Sequence, residues 1–168
     1  EHTTPYPYQF GVNPDDPTQI DLRETVAFVN LCGELGIKLL NTTAGSPYYT
    51  PHLQRPAAYP PSDGYQPAYD PLIDLARQIE VVRHLKAGLP EGMAIIASGL
   101  SYLQEYLPHV CQALLRDNWA DCVGLGRVVL SYPDILAAAM EQGGLEKRLI
   151  CRTFSDCTTA PRKGLPSG

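Results

Sequence analysis

Short apolar runs alternate along this chain with segments whose apolar residues recur every three or four positions. The short runs have the length of strands, and the recurring segments have the period of amphipathic helices. The predicted strands are 37–41, 93–97 and 121–123. The predicted helices begin at a Thr18 cap and end by Gly36, begin at Asp70-Pro71, span about 103–116, and span 134–142. This alternation indicates βα units and a parallel sheet, and the continuous apolar run at 93–97 predicts burial of both sheet faces.

Two of the predicted strands end in glycine-containing turns. Ser98, Gly99 and Leu100 follow the second strand, and Gly126 and Arg127 follow the third. Glycine lets a backbone approach a ligand closely, and main-chain N–H groups with an adjacent arginine form an anion cradle. (β/α)₈ barrels hold phosphate at the turns after their last two strands. These turns therefore predict a phosphate site; an Arg127 that only bridges to a carboxylate at the rim is the alternative.

The number of strands limits the fold. A closed barrel needs eight strands and about 250 residues, whereas this chain has 168 residues. The segment 1–18 has the composition of a loop that follows a strand. We expect an α/β fold, the C-terminal portion of a (β/α)₈ TIM barrel over 1–150, with a polar tail over 151–168. The open sheet edge left by the missing half would favour self-association.

Composition and charge argue against several classes of partner for this chain. Apolar residues are 44% and charged residues 18% of the chain, as in globular proteins. A net charge of −5 without a basic stripe argues against a nucleic-acid partner. No apolar run approaches the roughly 20 residues that cross a bilayer, and the first residues lack a secretory signal pattern. We expect no membrane partner, a cytoplasmic location and a small-molecule substrate.

The cysteines do not form a disulfide framework, because their number is odd and their spacing scattered. Cys32, Cys111 and Cys122 lie within apolar patterns and are expected to be buried. Cys151 and Cys157 lie in the polar tail. No histidine spacing supports a zinc site, so we expect no metal.

The segment 46–69 follows the first predicted strand and is rich in proline and tyrosine. Structureless loops of this length are uncommon in compact domains and are often functional. Because it follows the carboxyl end of a strand, this loop would lie on the active face of a barrel. Two hypotheses remain open: a substrate-side loop in which Tyr48 and Tyr49 make contacts, or a polyproline-like excursion whose tyrosines pack locally.

Three segments resemble the old yellow enzyme family of NADH:flavin oxidoreductases, which are FMN-binding (β/α)₈ barrels. Residues 36–45, Gly-Ile-Lys-Leu-Leu-Asn-Thr-Thr-Ala-Gly, resemble the sixth strand and its turn, and 95–99, Ile-Ile-Ala-Ser-Gly, resemble the seventh strand. Residues 120–127, Ala-Asp-Cys-Val-Gly-Leu-Gly-Arg, followed by Tyr-Pro-Asp at 132–134, resemble the eighth. The resemblance covers about 20–157, and the last of these segments is its most specific element.

This resemblance implies an FMN-dependent oxidoreductase in which NADH or NADPH reduces the flavin and the flavin reduces an activated alkene. It implies that the turns after the last two strands hold the FMN phosphate and that the first turn lies beside the flavin ring. The implied cofactor-binding residues are Gly45, Ser98, Gly99, Leu100, Gly126 and Arg127. In that family the substrate-binding His-Asn or His-His pair and the usual catalytic Tyr come from the middle of the barrel, which here would lie upstream of Glu1. Catalytic residues are therefore unassigned, and we expect the chain alone to be inactive.

Two other interpretations of the chain remain open. One keeps the phosphate site but changes the ligand, and the other gives the chain no catalytic role. Other barrels bind sugar phosphates or thiamine phosphates on the same two turns, so a lyase, an isomerase or a synthase remains open. The third interpretation is a non-catalytic barrel fragment that associates through its open edge.

The tail raises the question of an iron–sulfur cluster. Relatives resembling 2,4-dienoyl-CoA reductase hold a [4Fe–4S] cluster through a Cys-x-x-Cys-x-x-x-Cys run after the eighth helix. Here Cys151 and Cys157 are separated by five residues, and Phe154 stands where a ligand would be expected. Two thiols cannot supply four cysteine ligands, so we expect a degenerate site or a plain tail.

Overall fold

A three-stranded parallel sheet organises the chain in the computed structural model, which describes residues 10–61, 64–141 and 143–166. The strands are β1 (Leu39–Thr42), β2 (Ala94–Ala97) and β3 (Cys122–Val123). The helices are α1 (Arg23–Glu34), α2 (Pro51–Gln54), α3 (Pro71–Ala87), α4 (Leu107–Arg116), α5 (Val128–Ser131), α6 (Ile135–Glu141) and α7 (Asp156–Arg162). A 3₁₀ segment, Ser101–Tyr106, precedes α4. Within the described ranges, every helix is too short or too polar to cross a membrane.

The strands lie in the order β1-β2-β3 and all pair in parallel. Leu39 is opposite Ala94, and Ile96 is opposite Cys122. Parallel pairing requires a crossover between successive strands, and α3 and α4 provide the two crossovers. As a result the turns that follow the three strands all lie at one edge of the sheet, the carboxyl edge.

Helices cover one face of this sheet. Ile95, at the centre of β2, is fully buried, and α3 packs Leu75, Val82 and Leu85 into the same core. The start of α3 follows the prediction: Pro71 occupies its first turn, and the Asp70 carboxylate accepts a hydrogen bond of 2.8 Å from the main-chain nitrogen of Leu72. The mixed α/β architecture with parallel strands is therefore confirmed.

The prediction that both faces of the sheet are buried is wrong. Leu39, Asn41 and Cys122 occupy alternate positions to the core residues and are exposed. Side chains of successive strand residues point to opposite faces, so no described element covers this second face. The expected burial of Cys122 is wrong for the same reason, whereas Cys32 is buried and Cys111 half-buried.

Several predicted boundaries are also wrong. Thr18 does not cap α1: its amide and hydroxyl bind Asp16, Val12 forms an antiparallel bridge with Ile20, and the helix begins only at Arg23. The helix predicted over about 103–116 is a 3₁₀ segment followed by α4. The turn after β3 first forms α5, and α6 begins later than the Pro133-Asp134 pair suggested.

A carboxylate ties β2 to β3 at the amino edge of the sheet. Asp121, directly before β3, accepts a hydrogen bond of 2.8 Å from the main-chain nitrogen of Ile95 and one of 2.6 Å from Nζ of Lys86. The hydrogen bond from Lys86 lowers the pKa of Asp121 below its ordinary value of 3.8. One side chain therefore joins α3, β2 and β3.

We expect Asp121→Asn to lower the free energy of unfolding by about 1 kcal/mol, because it removes charge from two hydrogen bonds. Since folding lowers the pKa of Asp121, its contribution is complete above pH 3.8 and is lost as the pH falls through the lowered value. Urea unfolding between pH 2.5 and 7 should show a weaker acid dependence in the variant. Asp117→Asn is the matched control, because Asp117 pairs only with its exposed neighbour Arg116; equal effects of the two variants would contradict the assignment.

Cysteine alkylation tests the open sheet face. We expect iodoacetamide at pH 8 to modify Cys122 quickly in the native protein, whereas burial raises the pKa of Cys111 to about 11 and slows its reaction. Mass spectrometry of digested protein gives each rate. Faster modification of Cys111 would contradict the structure, and a Cys122 rate that falls with protein concentration would indicate that a second copy covers this face.

Candidate functional site

The turns after β2 and β3 lie side by side at the carboxyl edge. The main-chain nitrogen of Gly124 donates to the carbonyl of Ala97 over 2.8 Å, which extends the pairing one residue past β3. Ser98 and Gly124 are therefore neighbours, and a Cβ at Gly124 would collide with Oγ of Ser98. The two glycine turns predicted from the sequence are therefore adjacent where Ser98 meets Gly124.

Gly99 turns the chain sharply after β2. Its φ of +85° lies in the left-handed region, and a Cβ there would stand 3.1 Å from the carbonyl oxygen of Gln54. The next residue, Leu100, is 2% exposed and anchors the turn in the core. Leu100 can therefore offer a ligand its main-chain nitrogen but not its side chain.

Gly126 faces open space. A Cβ at this position would meet no atom within 4 Å, so protein packing does not require a glycine there. Arg127 follows it, half-buried, with Nη1 4.0 Å from Sγ of Cys157. Among the described residues Arg127 has no carboxylate partner at ion-pair distance. The rim ion pair considered as its alternative role is therefore not formed within these residues.

The main-chain N–H groups of these turns carry unused hydrogen-bonding capacity. Those of Gly99, Leu100, Gly126 and Arg127 donate to no acceptor among the described residues. Backbone donors are almost always satisfied by protein or by solvent and ligands. Neighbouring turns with unused donors and a guanidinium therefore form an arrangement that suits an oxyanion.

The turn after β1 shares this edge but is separated from β3 by β2. Gly45 has a φ of +82°, and its Cβ would stand 2.8 Å from Oγ1 of Thr50. Ser98 links β2 to β1, because its hydroxyl donates to Oδ1 of Asn41 over 2.6 Å. Gly45 thus packs against the residues that begin α2, and Ser98 lies between the two turns.

The described part of the loop from 46 to 69 contains more regular structure than the sequence suggested. This loop contains α2. The buried carboxamide of Gln78 fastens the loop to α3: it accepts a hydrogen bond from the nitrogen of Ala44 and donates to the carbonyls of Ala44 and Leu53. Tyr48 and Tyr49 are 86% and 77% exposed near the start of this loop. They do not pack locally as rings, although the Tyr49 carbonyl accepts from the hydroxyl of Tyr65.

Sequence reasoning missed the role of Gln78. This glutamine lies on the apolar stripe of α3, three residues after Leu75 and four before Val82, and it is only 4% exposed. A polar residue in a buried stripe requires hydrogen-bond partners, so its position was the available signal. Asn41, an exposed polar residue within an apolar strand, offered a similar signal.

The tail cysteines do not assemble a recognisable cluster site. Nη1 of Arg127 lies near Cys157, whereas Sγ of Cys151 accepts from the nitrogen of Thr153 over 3.4 Å. Across the part of the chain that the structure describes, no group of three or more His, Cys, Asp or Glu residues is placed to hold a metal ion.

Comparison of the chain with protein-family models, with curated proteins and with solved structures finds no match.

A pair of glycine substitutions separates folding from ligand access. We expect Gly99→Ala to destabilise the protein by about 1–2 kcal/mol, because alanine disfavours the left-handed conformation and its methyl group would press on Gln54. Gly126→Ala should change stability by less than about 0.5 kcal/mol, because its methyl group would meet open space. Thermal and urea unfolding measure both, and a large loss of stability in Gly126→Ala would contradict the open geometry.

Proposed function

We propose that this chain binds the phosphate of FMN and belongs to an NAD(P)H-dependent flavin oxidoreductase of the old yellow enzyme type. The observation that carries the proposal is the pair of adjacent turns at the carboxyl edge, where four main-chain N–H groups lack protein acceptors and Arg127 lacks a carboxylate partner among the described residues. The resemblance of residues 36–45, 95–99 and 120–127 to that family supports the choice of cofactor. The proposal includes a (β/α)₈ barrel to which this three-stranded sheet would contribute.

Each residue of the proposed phosphate site has a separate task. Gly99 and Leu100 orient two N–H donors, and the buried side chain of Leu100 fixes their direction. Gly126 leaves room for the phosphate oxygens, where any side chain would intrude. Arg127 supplies the positive charge, and its planar guanidinium can form two parallel hydrogen bonds with one phosphate.

FMN would supply the redox chemistry, taking hydride from NADH or NADPH and giving it to an activated alkene. The chain's own contribution is to hold and orient the cofactor at the sheet edge. Tyr48 and Tyr49 would lie on the substrate side, since they are exposed in the loop that begins at the same edge. The proposal assigns no proton-transfer role to the described residues.

A cytoplasmic location and self-association belong to the same proposal. Five cysteines with no disulfide among them suit a reducing compartment. The exposed positions Leu39 and Ile37 lie at the free β1 edge, where a second chain could pair with unused backbone groups.

Titration with FMN and riboflavin tests the phosphate assignment. We expect the full chain to quench FMN fluorescence, and Arg127→Gln to weaken FMN binding about tenfold by removing a charge-assisted hydrogen bond. Riboflavin, which lacks the phosphate, should bind more weakly and should be insensitive to this substitution. Gly126→Ala should also weaken FMN binding while leaving the protein stable, because the methyl group occupies the space needed by the phosphate.

Arg148→Gln is the matched control, because Arg148 is an exposed arginine paired with Glu146. Equal FMN affinity in Arg127→Gln and the wild type would refute the phosphate site. Competition by ribose 5-phosphate as strong as that by FMN would favour the lyase, isomerase or synthase alternative, since flavin would then add nothing to the affinity.

A further inference from the structure

A second cavity lies outside the proposed phosphate site. Its volume is about 370 Å³, within the range of small-molecule pockets, and its lining comes from the loop after β1, the 3₁₀ segment, residues 147–150 and the tail. The lining includes Ala58, the well-buried Ile150 and the ring of Phe154. None of its lining residues belongs to the turns that contain Gly99, Gly126 and Arg127.

Phe154 is held rigidly in this wall although its ring is 44% exposed. The residue before it, Thr153, accepts at its hydroxyl from the nitrogen of Ala58 and at its carbonyl from the nitrogen of Tyr59. The residue after it, Ser155, donates to the carbonyl of Tyr59 over 2.7 Å and accepts from Arg55. These hydrogen bonds form a clamp that holds the backbone on both sides of Phe154, and the ring meets Tyr59 edge-on at 5.2 Å between centroids.

The clamp holds Thr153 and Ser155 in an unfavourable backbone conformation. Thr153 and Ser155 have φ of 56° and 62°, and Gln104, which also lines the cavity, has φ of 51°. Such conformations are costly for residues other than glycine and cluster where a ligand is held. The ring of Phe154 meets Tyr59 at its edge but remains 44% exposed, so a ligand that covers the exposed part would account for the strained segment that presents it.

Positive charge surrounds the ring. Arg152 and Lys147 line the cavity, and Glu105 is the only carboxylate in its lining. Nζ of Lys147 stands 3.4 Å from Oε1 of Glu105, whereas Arg152 is exposed and has no ion pair within the described ranges. One guanidinium is therefore available to an anion beside the ring of Phe154.

We propose that this cavity binds a single aromatic ring that carries a carboxylate or phosphate group. The ring packs on Phe154 over the apolar floor of Ala58 and Ile150, and the anionic group pairs with Arg152 and Lys147. The proposal does not depend on FMN binding, because the two sites share no residue.

Benzoate is the probe, with cyclohexanecarboxylate as its non-aromatic match and benzamide as its uncharged match. In two-dimensional NMR titrations of the ¹⁵N-labelled full chain, we expect benzoate at millimolar concentrations to shift the amides of 104–105, 147 and 152–155. Both matched compounds should bind more weakly. The double variant Lys147→Gln/Arg152→Gln should weaken benzoate binding about fivefold, and Phe154→Leu by a similar factor.

Arg148→Gln, an adjacent cation outside the cavity lining, should leave benzoate affinity unchanged. Phe154 and both cations are exposed, so the variants should fold, and thermal unfolding verifies this. Equal binding of benzoate and cyclohexanecarboxylate, unchanged affinity in the double variant, shifts centred on Arg127, or no shifts at tens of millimolar benzoate would each overturn the proposal.

Discussion

The parallel pairing of β2 with β3 is the constraint on which the candidate site depends. Ala97 and Val123 are in register, so the chain leaves both strands at the same level and turns in the same place. A shift of one residue would put a side chain where Gly124 lies against Ser98, and it would reverse the faces of β3. The adjacency of the two turns is thus a property of the register as much as of the glycines.

The tail from 151 onward is integrated into this arrangement. Thr153 and Ser155 are buried, and their hydrogen bonds reach residues about 95 positions earlier in the chain. Arg127 reaches the same tail at Cys157. The polar side chains of this tail supply hydrogen bonds that join the loop after β1 to the end of the chain.

The sequence predicted the elements whose signals are local. Asp70 and Pro71 mark the start of α3, and the apolar run at 93–97 marks β2, because capping and strand propensity act over a few residues. The helix cap predicted at Thr18 was wrong, because a hydroxyl before an apolar segment also suits a turn. Here the hydroxyl of Thr18 donates to the carboxylate of Asp16. Burial of the second sheet face could not be judged from one strand, since it depends on which elements cover the whole sheet.

The candidate site could be predicted only in part, because only its local signals are visible in the sequence. Glycine and arginine at strand ends are visible in a sequence, so the two turns and Arg127 could be named. The clamp on Phe154 joins segments far apart in the chain, and its left-handed residues are not glycines. No pattern in the sequence predicts that Thr153 or Ser155 adopts such a backbone.

The hydrogen bonds of Gln78 limit how far the loop beside the carboxyl edge can move. Opening residues 44–53 would break three buried hydrogen bonds and expose part of α3. The short turn at 46–50 is also closed, by bonds between Ser46 and Thr50. The backbone of this turn is therefore held in place beside the carboxyl edge, whereas the exposed Tyr48 and Tyr49 side chains can change rotamer in picoseconds to nanoseconds.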